Sequence, residues 1–317
     1  MEKRRIGSLA VSVVGLGCNN FGWRVDAGAT AKVIEAALDA GINFFDTADI
    51  YGGTQSEEFL GRALGRRRLG SGRDEVVIAT KFGMAVDTKR RGAKPDYIRR
   101  AAEDSLRRLG TDRIDLYQIH QPDPTVPIAD TLEALDGLVR AGKVREIGCS
   151  NFSAAQIREA EAAVRTGAAR FVSVQNEYSL LHREPERDVL AECERRQIAF
   201  LPYFPLASGL LSGKYRRGQP APSGTRLTSG GRWANALAGS NLEAVESLVE
   251  FANTRRHTLL DLAISWLAAR PAVASVISGA TSPAQVRANA AAAGWRLTPE
   301  ELDAVDAIVP PSNARDS

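Results

Sequence analysis

The sequence predicts an α/β fold: a single (β/α)8 barrel of the TIM type that extends over residues 1–317, with an N-terminal β-hairpin and two extra helices outside the barrel. Eight short apolar runs, each about as long as a buried strand, alternate with amphipathic helical stretches. A chain of 317 residues also has the usual length of one such barrel. No linker rich in Pro, Gly or Ser divides it into two domains.

The eight apolar runs leave room for a helix between successive strands. Strands of a parallel barrel are covered by the barrel interior on one face and by helices on the other, so their sequences are continuously apolar. The predicted strands are 11–17, 42–46, 75–81, 113–120, 143–149, 170–175, 197–203 and 273–278.

Several of the intervening helices have a recognisable start or end. A Ser or Thr side chain accepts a hydrogen bond from a free N–H group of the first turn, and Pro fits the first helical position. The predicted starts are Thr30, Ser56, Pro95, Ser153 and Ser282 with Pro283. Glycines suited to a left-handed cap end the helices at Gly41, Gly110, Gly142 and Gly167.

Three pieces fall outside the eight repeats. The opening residues turn at Gly7 and Ser8, and we expect a hairpin that closes the bottom of the barrel. Residues 205–240 form a long segment rich in Gly, Ser, Pro and Arg, which is typical of a functional lid or binding loop. The two extra helices are expected near 241–255 and near 299–308, the second capped by Thr298.

Composition excludes several classes of protein. Lys and Arg total 41 and Asp and Glu total 38, a net charge of +3, and the basic residues are scattered, so we expect no nucleic-acid partner. Three well-separated cysteines without a CxxC motif disfavour a disulfide framework or a zinc site. No stretch has the apolar length of a membrane span or the pattern of a signal peptide, so we expect a cytoplasmic protein. No feature predicts an oligomeric state.

One segment imitates a different cofactor fold. Gly15, Gly17 and Gly22 follow the first apolar run, and Asp46 ends the second, as in a Rossmann dinucleotide-binding domain. However, Asn20 stands where the G-x-G-x-x-G motif requires its third glycine, and no helix begins directly after the loop. The barrel is therefore the better interpretation.

Polar residues close four successive apolar runs. Because the active site of a barrel collects at the carboxyl ends of its strands, we expect these side chains to converge on one rim. They are Asp46, Tyr51, Lys81, His120, Ser150 and Asn151. Taken singly, Asp46 is equally well a helix cap and Tyr51 equally well a loop aromatic, and His120 is more often a structural histidine. Lys81 directly after an apolar strand is costly without a purpose.

Together these groups suit proton donation to an oxygen atom. An ammonium beside a phenol stabilises the phenolate and lowers its pKa, and Lys81 could do this for Tyr51. Asp46 would keep Lys81 charged, and His120 could hydrogen-bond the oxygen that Tyr51 protonates. The set offers neither a strong nucleophile nor enough metal ligands, so a cofactor must deliver a hydride.

The chain resembles the aldo-keto reductases, in particular their bacterial and potassium-channel β-subunit-like branch. The segments FFDTADIYGGTQSEEFLGRAL, ATKFG, IDLYQIHQPDP, GCSNFSAAQI, SVQNEYSLL and PYFPLASGLLSGKY resemble family motifs in the correct order, from about Val13 to Val309. The resemblance implies that Tyr51 is the general acid, that Lys81 and Asp46 tune and hold it, and that His120 orients the substrate carbonyl.

The resemblance also implies NADP(H) bound across the rim, with NAD(H) not excluded. Ser150, Asn151 and Gln175 would hold the carboxamide, and the nicotinamide ring would stack on Tyr203. The implied diphosphate residues are Leu206, Ser208, Gly209, Leu211 and Lys214, and those at the adenosine end are Gly279, Thr281, Ser282, Gln285 and Asn289.

The chain departs from the commonest family pattern at two places. Many relatives carry Arg or Lys at the position of Thr281 or Gln285, where a 2′-phosphate needs a cation, and here Ser282, the helix N-terminus and Arg287 or Arg226 would have to compensate. The segment GLGCNNFGW also differs. We expect Cys18, Asn19 and Trp23 to line the substrate pocket with Phe82, and Cys18 to be a pocket wall rather than a nucleophile.

Three functions are compatible with these residues. The leading hypothesis is an NADPH-dependent reductase that converts an aldehyde or ketone to an alcohol, with Tyr51 as the proton donor. The second is a regulatory subunit that binds the cofactor and acts through a protein partner, as the potassium-channel β subunits do within the resembled family. The third, an aldolase with Lys81 as a Schiff base, leaves Ser150, Asn151 and the 205–215 loop unexplained.

Overall fold

A computed structural model describes residues 1–65, 73–220, 227 and 239–311, with 239 and 240 as backbone alone, and shows the predicted barrel. Eight parallel strands form one sheet, and two antiparallel strands form a separate hairpin. The strands are β1 (Lys3–Ile6), β2 (Leu9–Ser12), β3 (Val14–Gly17), β4 (Phe44–Asp46), β5 (Val77–Phe82), β6 (Ile114–Ile119), β7 (Val144–Ser150), β8 (Phe171–Glu177), β9 (Ala199–Tyr203) and β10 (Val276–Gly279).

The sheet closes on itself. Its order is β10-β3-β4-β5-β6-β7-β8-β9, so each strand of the chain pairs with the next one. Closure occurs between β9 and the residues just before β10, where Phe200 N donates to Ala272 O at 2.7 Å and Ala274 N donates to Phe200 O at 3.1 Å. All eight carboxyl ends therefore meet at one mouth.

Helices cover the outside of the sheet. They are α1 (Ala27–Asp39), α2 (Gln55–Gly65), α3 (Pro95–Leu109), α4 (Ile128–Arg140), α5 (Ala154–Ala163), α6 (Val189–Arg196), α7 (Gly239–Thr254), α8 (Leu259–Ala268), α9 (Pro283–Ala291) and α10 (Pro299–Ile308). The two predicted extra helices correspond to α7 and α10, which pack against each other. The segment 205–240, predicted to be a lid or binding loop, is described only in part, because 221–226 and 228–238 lie outside the described residues.

The amino-terminal hairpin forms the floor of the barrel. Ile6, Leu9 and Val11 pack on inward side chains from the starts of the strands, among them Phe44 and Leu116. The turn at Gly7 and Ser8 is tied to the barrel wall, since Ser8 N donates to the Glu146 carboxylate at 2.7 Å. The predicted hairpin is thus confirmed, and it seals the end of the barrel opposite the mouth.

The predicted first strand at 11–17 is wrong in its extent. Residues up to Ser12 belong to the hairpin strand β2, and the barrel strand β3 begins at Val14. Ser12 Oγ donates to Val14 O at 2.7 Å across this change of direction. A continuous apolar run conceals the break, because both the hairpin and the barrel strand are buried.

Two predicted helix starts are also wrong. The first helix begins at Ala27 and is capped by Asp26, whose side chain accepts from Ala29 N, so Thr30 lies inside it. Ser56 lies inside α2, and its hydroxyl donates to Cys18 O at 2.9 Å. Ser153, Ser282 and Thr298 cap their helices as predicted.

A close contact between two helices depends on one glycine. A Cβ atom on Gly61 of α2 would lie 2.4 Å from the backbone oxygen of Leu109, at the end of α3. Because that neighbour is backbone, it cannot move aside cheaply. We therefore expect Gly61→Ala to lower the free energy of unfolding by about 1–3 kcal/mol, measured by urea denaturation.

Gly137 of α4 provides the matched control. It is also a helical glycine, but nothing lies within 4 Å of the position of its Cβ. Gly137→Ala should raise the free energy of unfolding by about 0.4–1 kcal/mol, because alanine restricts the unfolded chain. Equal effects of the two substitutions would contradict the assigned helix contact.

Candidate active site

A buried ion pair occupies the mouth of the barrel. Asp46 ends β4, Lys81 lies near the end of β5, and Lys81 Nζ is 2.6 Å from Asp46 Oδ2. The two side chains are 4% and 0% exposed. Burial lowers the pKa of Lys81, but Asp46 and Tyr51 raise it by more, so it lies above its usual 10.5. Lys81 is therefore a permanent cation inside the barrel.

The second oxygen of the Asp46 carboxylate is held by two amides. Oδ1 accepts from Gln175 Nε2 at 2.9 Å and from Gln118 Nε2 at 3.3 Å. Lys81 Nζ donates in addition to the carbonyl oxygen of Thr47 at 2.8 Å. Each charged group of the pair thus has several partners, as a buried pair requires.

Tyr51 stands beside this pair on a loop that is fixed to β5. Thr47 N donates to Ala79 O at 2.9 Å, and Asp49 N donates to Lys81 O at 3.0 Å. Lys81 Nζ lies 5.2 Å from the centroid of the Tyr51 ring. The chain then turns at Gly52, where a Cβ atom would lie 2.3 Å from the oxygen of Phe21. These contacts leave the tyrosine little freedom.

The pKa of Tyr51 differs from the expectation of a lowered value. Burial raises the pKa of the phenol, and the Lys81 ammonium lowers it by less, while Asp46 raises it slightly further. The resulting pKa lies above the usual 10.0. Tyr51 is therefore fully protonated at neutral pH, and Lys81 stabilises the phenolate only after the proton has left.

His120 faces Tyr51 across the mouth. Their ring centroids are 5.7 Å apart with an interplanar angle of 80°. Burial, and to a smaller extent Lys81, lowers the pKa of His120 to about 3, so the imidazole is neutral at physiological pH. A neutral ring can donate one N–H group without supplying a charge.

Ser150, Asn151 and Tyr203 form a hydrogen-bonded group next to His120. Asn151 Nδ2 donates to His120 O at 2.9 Å, and the Tyr203 hydroxyl donates to Asn151 Oδ1 at 2.8 Å. Ser150 Oγ donates to Gln175 O at 2.8 Å. The Asn151 amide thus already has partners on both of its polar atoms, and its backbone φ of 61° places it in the left-handed region.

The segment after β9 curls tightly. Phe204, Ala207 and Ser208 all have positive φ, and Leu206 and Leu211 lie within the same curl. Ser208 Oγ is buried without a hydrogen-bond partner. Lys214 Nζ lies 3.3 Å from the position of a Cβ on Gly209. Three N–H groups of the curl, those of Ala207, Gly209 and Leu211, donate to carbonyl oxygens within it, so the Ser208 hydroxyl and the Lys214 ammonium are its groups that suit an anion.

The remaining predicted cofactor residues follow β10. Gly279 ends that strand, and Ser282 caps α9 by accepting from Gln285 N at 3.3 Å. Gln285 Oε1 accepts from Thr281 N at 2.8 Å, and Asn289 is buried farther along the helix. All fourteen predicted cofactor residues therefore lie at the carboxyl ends of β7 to β10 or in the segments that follow them, across the mouth from Tyr51 and Lys81.

Of the proposed substitutes for the missing cation, Ser282 and the amino end of α9 lie at this end, whereas the structure places neither arginine there. Arg287 lines a groove with Met1, Ala40 and Gly294, on the side of α9 toward the amino terminus of the chain. Arg226 lies outside the described residues. Within 279–289, the polar groups that the structure places beside Thr281 are uncharged.

Of the four predicted substrate-pocket residues, two lie at the rim of the barrel and two are buried. Trp23 is 63% exposed on the rim, beside the Arg24 guanidinium, and Asn19 borders Gly279. Cys18 and Phe82 are fully buried, Phe82 against the ring of Tyr117 on the outer side of the sheet. These two side chains line no open surface of this structure.

Two buried acids were not singled out from the sequence. Glu57 of α2 accepts from Thr80 Oγ1 at 2.6 Å and from Arg108 Nε at 2.6 Å, which ties α2 and α3 to the strand of Lys81. Its spacing from Leu60 and Leu64 would have placed it on the buried helix face. Asp49 receives a 3.4 Å hydrogen bond from the Tyr97 hydroxyl, and its Oδ1 is buried without a partner.

The described residues contain neither a cluster of metal ligands nor a helix that could span a membrane. Three or more His, Cys, Asp or Glu side chains nowhere come together there as a metal site would need. In the same part of the chain, every helix is too short or too polar to cross a bilayer.

Comparison with known proteins decides the family. The model of the aldo/keto reductase family matches residues 13–310. The chain belongs to the aldo/keto reductase family. Membership supports an oxidoreductase activity for the site at the barrel mouth, and the resemblance seen in the sequence motifs is confirmed.

Individual relatives agree over nearly the whole chain. Aldo-keto reductase YhdN of Bacillus subtilis is 36% identical over 95% of this chain and 91% of its own length. A "probable voltage-gated potassium channel subunit beta" of Oryza sativa is 34% identical over 98% and 97%. The structure of the glycerol dehydrogenase AKR11B4 from Gluconobacter oxydans has a TM-score of 0.82 and 32% identity, over 96% of this chain and 94% of that one.

The buried Asp49 carboxyl should make stability depend on pH. Burial, followed by repulsion from Glu57, raises its pKa from 3.8 to about 7. The folded protein therefore holds a proton that the unfolded chain loses, and stability should fall as pH rises from about 4 to about 7, by up to about 1.4 kcal/mol per pH unit. Asp49→Asn should remove this slope and be the more stable protein at pH 8, measured by urea denaturation across this range.

Asp123 serves as the control because its pKa is shifted in the opposite direction. Burial raises the pKa of Asp123, but hydrogen bonds from Thr125 and Ala93 lower it by more, so the carboxylate is ionised at both pH 5 and pH 8. Asp123→Asn should lower stability by a similar amount at pH 5 and pH 8. An unchanged slope in Asp49→Asn would show that another group causes the pH dependence.

Proposed function

We propose that this protein is an NADP(H)-dependent reductase that converts an aldehyde or ketone to an alcohol, with Tyr51 as the proton donor. The observation that carries the proposal is a protonated phenol with a buried ammonium on one side and a neutral imidazole on the other. Such an arrangement can protonate an oxygen atom and then stabilise the phenolate that remains.

The residues on the opposite side of the mouth fit a nicotinamide nucleotide. Asn151, Ser150 and Gln175 would hold the carboxamide, with Asn151 exchanging present partners for the ligand. The curl at 204–214, with its unpartnered Ser208 hydroxyl and Lys214 over Gly209, would hold the diphosphate. When bound, the reduced nucleotide supplies a hydride.

The chain's own groups perform the acid half of the reaction. The neutral His120 ring donates a hydrogen bond to the substrate carbonyl and fixes its direction toward Tyr51. As negative charge develops on the carbonyl oxygen, the Tyr51 hydroxyl transfers its proton to that oxygen. Lys81 stabilises the resulting phenolate, and Asp46 keeps the lysine in place. Solvent then returns a proton to Tyr51.

The proposed preference for NADP(H) rests on the family resemblance more than on local charge. The groups that the structure places beside Thr281 are neutral, although the amino end of α9 also favours an anion. Comparing the oxidation of NADPH and NADH by the purified protein tests this preference directly. The assay uses a panel of aromatic, sugar-derived and steroid-like carbonyls as substrates. Glyceraldehyde is included, because a solved relative is named a glycerol dehydrogenase.

A regulatory subunit is the second candidate function. It is favoured by the 34% identity to chains named as potassium channel β subunits in Oryza sativa and Arabidopsis thaliana. A protein that binds the nucleotide but turns over none of the aromatic, sugar-derived or steroid-like carbonyls would support that alternative over the reductase.

The proposed role of Tyr51 leads to a specific kinetic result. Tyr51→Phe removes the proton donor and keeps the ring, so kcat for carbonyl reduction should fall by about 10²–10⁴. The Kd for NADPH, measured by quenching of tryptophan fluorescence, should remain within about twofold of the wild-type value, a change of under about 0.5 kcal/mol.

Tyr117→Phe is the control. That residue is a fully buried tyrosine that faces the helices, and its hydroxyl has no hydrogen-bond partner. It should retain the wild-type kcat. If Tyr51→Phe reduced carbonyls as fast as the wild type, Tyr51 would not be the proton donor.

A further inference from the structure

Gln118 is a buried amide at the centre of the barrel mouth. It lies on β6, where Leu116 contributes to the apolar interior and His120 reaches the rim, and it points inward between them. It pairs in register with Lys81 of β5 on one side and with Gly148 of β7 on the other. Its side chain has no exposed surface, so it touches neither solvent nor a ligand at the rim.

The amide of Gln118 has a defined orientation. Its Nε2 donates to Asp46 Oδ1 at 3.3 Å, on the carboxylate whose other oxygen binds Lys81. In the reverse orientation Gln118 Oε1 would face Asp46 Oδ1, and two acceptor oxygens in contact are unfavourable. In the observed orientation Gln118 Oε1 is buried without a hydrogen-bond partner. A leucine or methionine would avoid that cost in folding free energy, so packing does not explain a glutamine here.

The barrel also leaves space for this side chain. A Cβ atom on Gly148 would lie 3.3 Å from Gln118 Cγ and 2.3 Å from Ser173 Oγ. The missing side chain on β7 is therefore what lets Gln118 lie across the interior and reach Asp46. The hydrogen bond from Gln118 to Asp46 is thus accompanied by two costs, an unpartnered Gln118 Oε1 and a glycine at position 148 of β7.

We propose that Gln118 is a positioning residue that sets the proton affinity of Tyr51 through Asp46 and Lys81; this inference builds on the proposed role of Tyr51 as proton donor. Asp46 raises the pKa of Tyr51 and Lys81 lowers it. An amide donor on Oδ1, which also accepts from Gln175 Nε2 at 2.9 Å, withdraws part of the carboxylate charge and helps to fix Oδ2 on the lysine. Lys81 is then held where it stabilises the Tyr51 phenolate, and the Asp46 carboxylate destabilises that phenolate less.

The test is the pKa of Tyr51 in Gln118→Met, which removes the amide and keeps an unbranched side chain of similar length. Carbon-13 NMR of protein labelled at tyrosine Cζ reports the ionisation of Tyr51, assigned by its absence in Tyr51→Phe. We expect the pKa of Tyr51 to rise by about one unit relative to the wild type, the size of one hydrogen bond. Gln118→Asn keeps an amide but is too short to reach Asp46, and should give the same shift with less change in packing.

Kinetics provide the second measurement. In Gln118→Met the pH midpoint of alcohol oxidation should move upward by about the same one unit, and kcat for carbonyl reduction should fall about tenfold. KM for the carbonyl and Kd for NADPH should stay unchanged, because Gln118 contacts neither. Tyr117→Phe, on the same strand but facing the helices, should move none of these quantities.

The outcomes separate the two proposals. An unchanged Tyr51 pKa in both Gln118 variants would overturn the positioning role, whatever the activity. A shifted pKa in a protein whose wild type reduces no carbonyl would overturn the proposed reductase and leave the role of Gln118 standing. A fall in kcat with no shift in the pH midpoint would show that Gln118 acts only on packing.

Discussion

The charge on Lys81 is the constraint on which the rest of the site depends. An ammonium group inside a barrel is stable only if a carboxylate and oriented dipoles replace the water it has lost. Asp46 and the carbonyl oxygen of Thr47 supply these partners, and the amides of Gln118 and Gln175 in turn hold Asp46. Below them the interior is apolar and closed by the hairpin, so the field of the pair is screened weakly in that direction. The electric field of the Lys81 cation therefore acts on the groups at the mouth of the barrel, Tyr51 and His120.

Much of this arrangement could be predicted from the sequence, because a strand has a period of two and a parallel barrel places all of its strand ends together. Those two rules suffice to bring Asp46, Lys81 and His120 to one rim. They could not locate the break at Val13, since the hairpin and the barrel strand are both apolar and buried. Nor could they give the direction of the pKa shift of Tyr51, which depends on how burial compares with the attraction of Lys81. Contacts between distant segments, such as Glu57 with Arg108, likewise have no signature in local spacing.

The two sides of the mouth differ in how their geometry is fixed. Tyr51 and Lys81 are held by buried side chains and by backbone hydrogen bonds to β5, which leave few alternative positions. On the opposite side, Ser150 and Gln175 are buried, but Asn151 is exposed and its Oδ1 accepts from the partly exposed Tyr203 hydroxyl. Hydrogen bonds of that kind can be exchanged for a ligand at small net cost, because a partner is lost and another gained. The proposed proton donor is therefore held rigidly, and the proposed cofactor surface opposite it is adaptable.

The amino-terminal hairpin also affects how the chain can fold. It rests on strand starts from around the barrel, and Arg4 and Ser12 bond to Val273 and Ser275, more than 250 positions away in sequence. Joining β3 to β10 therefore closes a loop that contains almost the entire polypeptide, and contacts of such separation form slowly. The apolar face of the hairpin is fully covered only when strand starts from both ends of the barrel sequence are in place. We therefore expect the floor of the barrel to be completed late in folding, because its contacts join segments far apart in sequence.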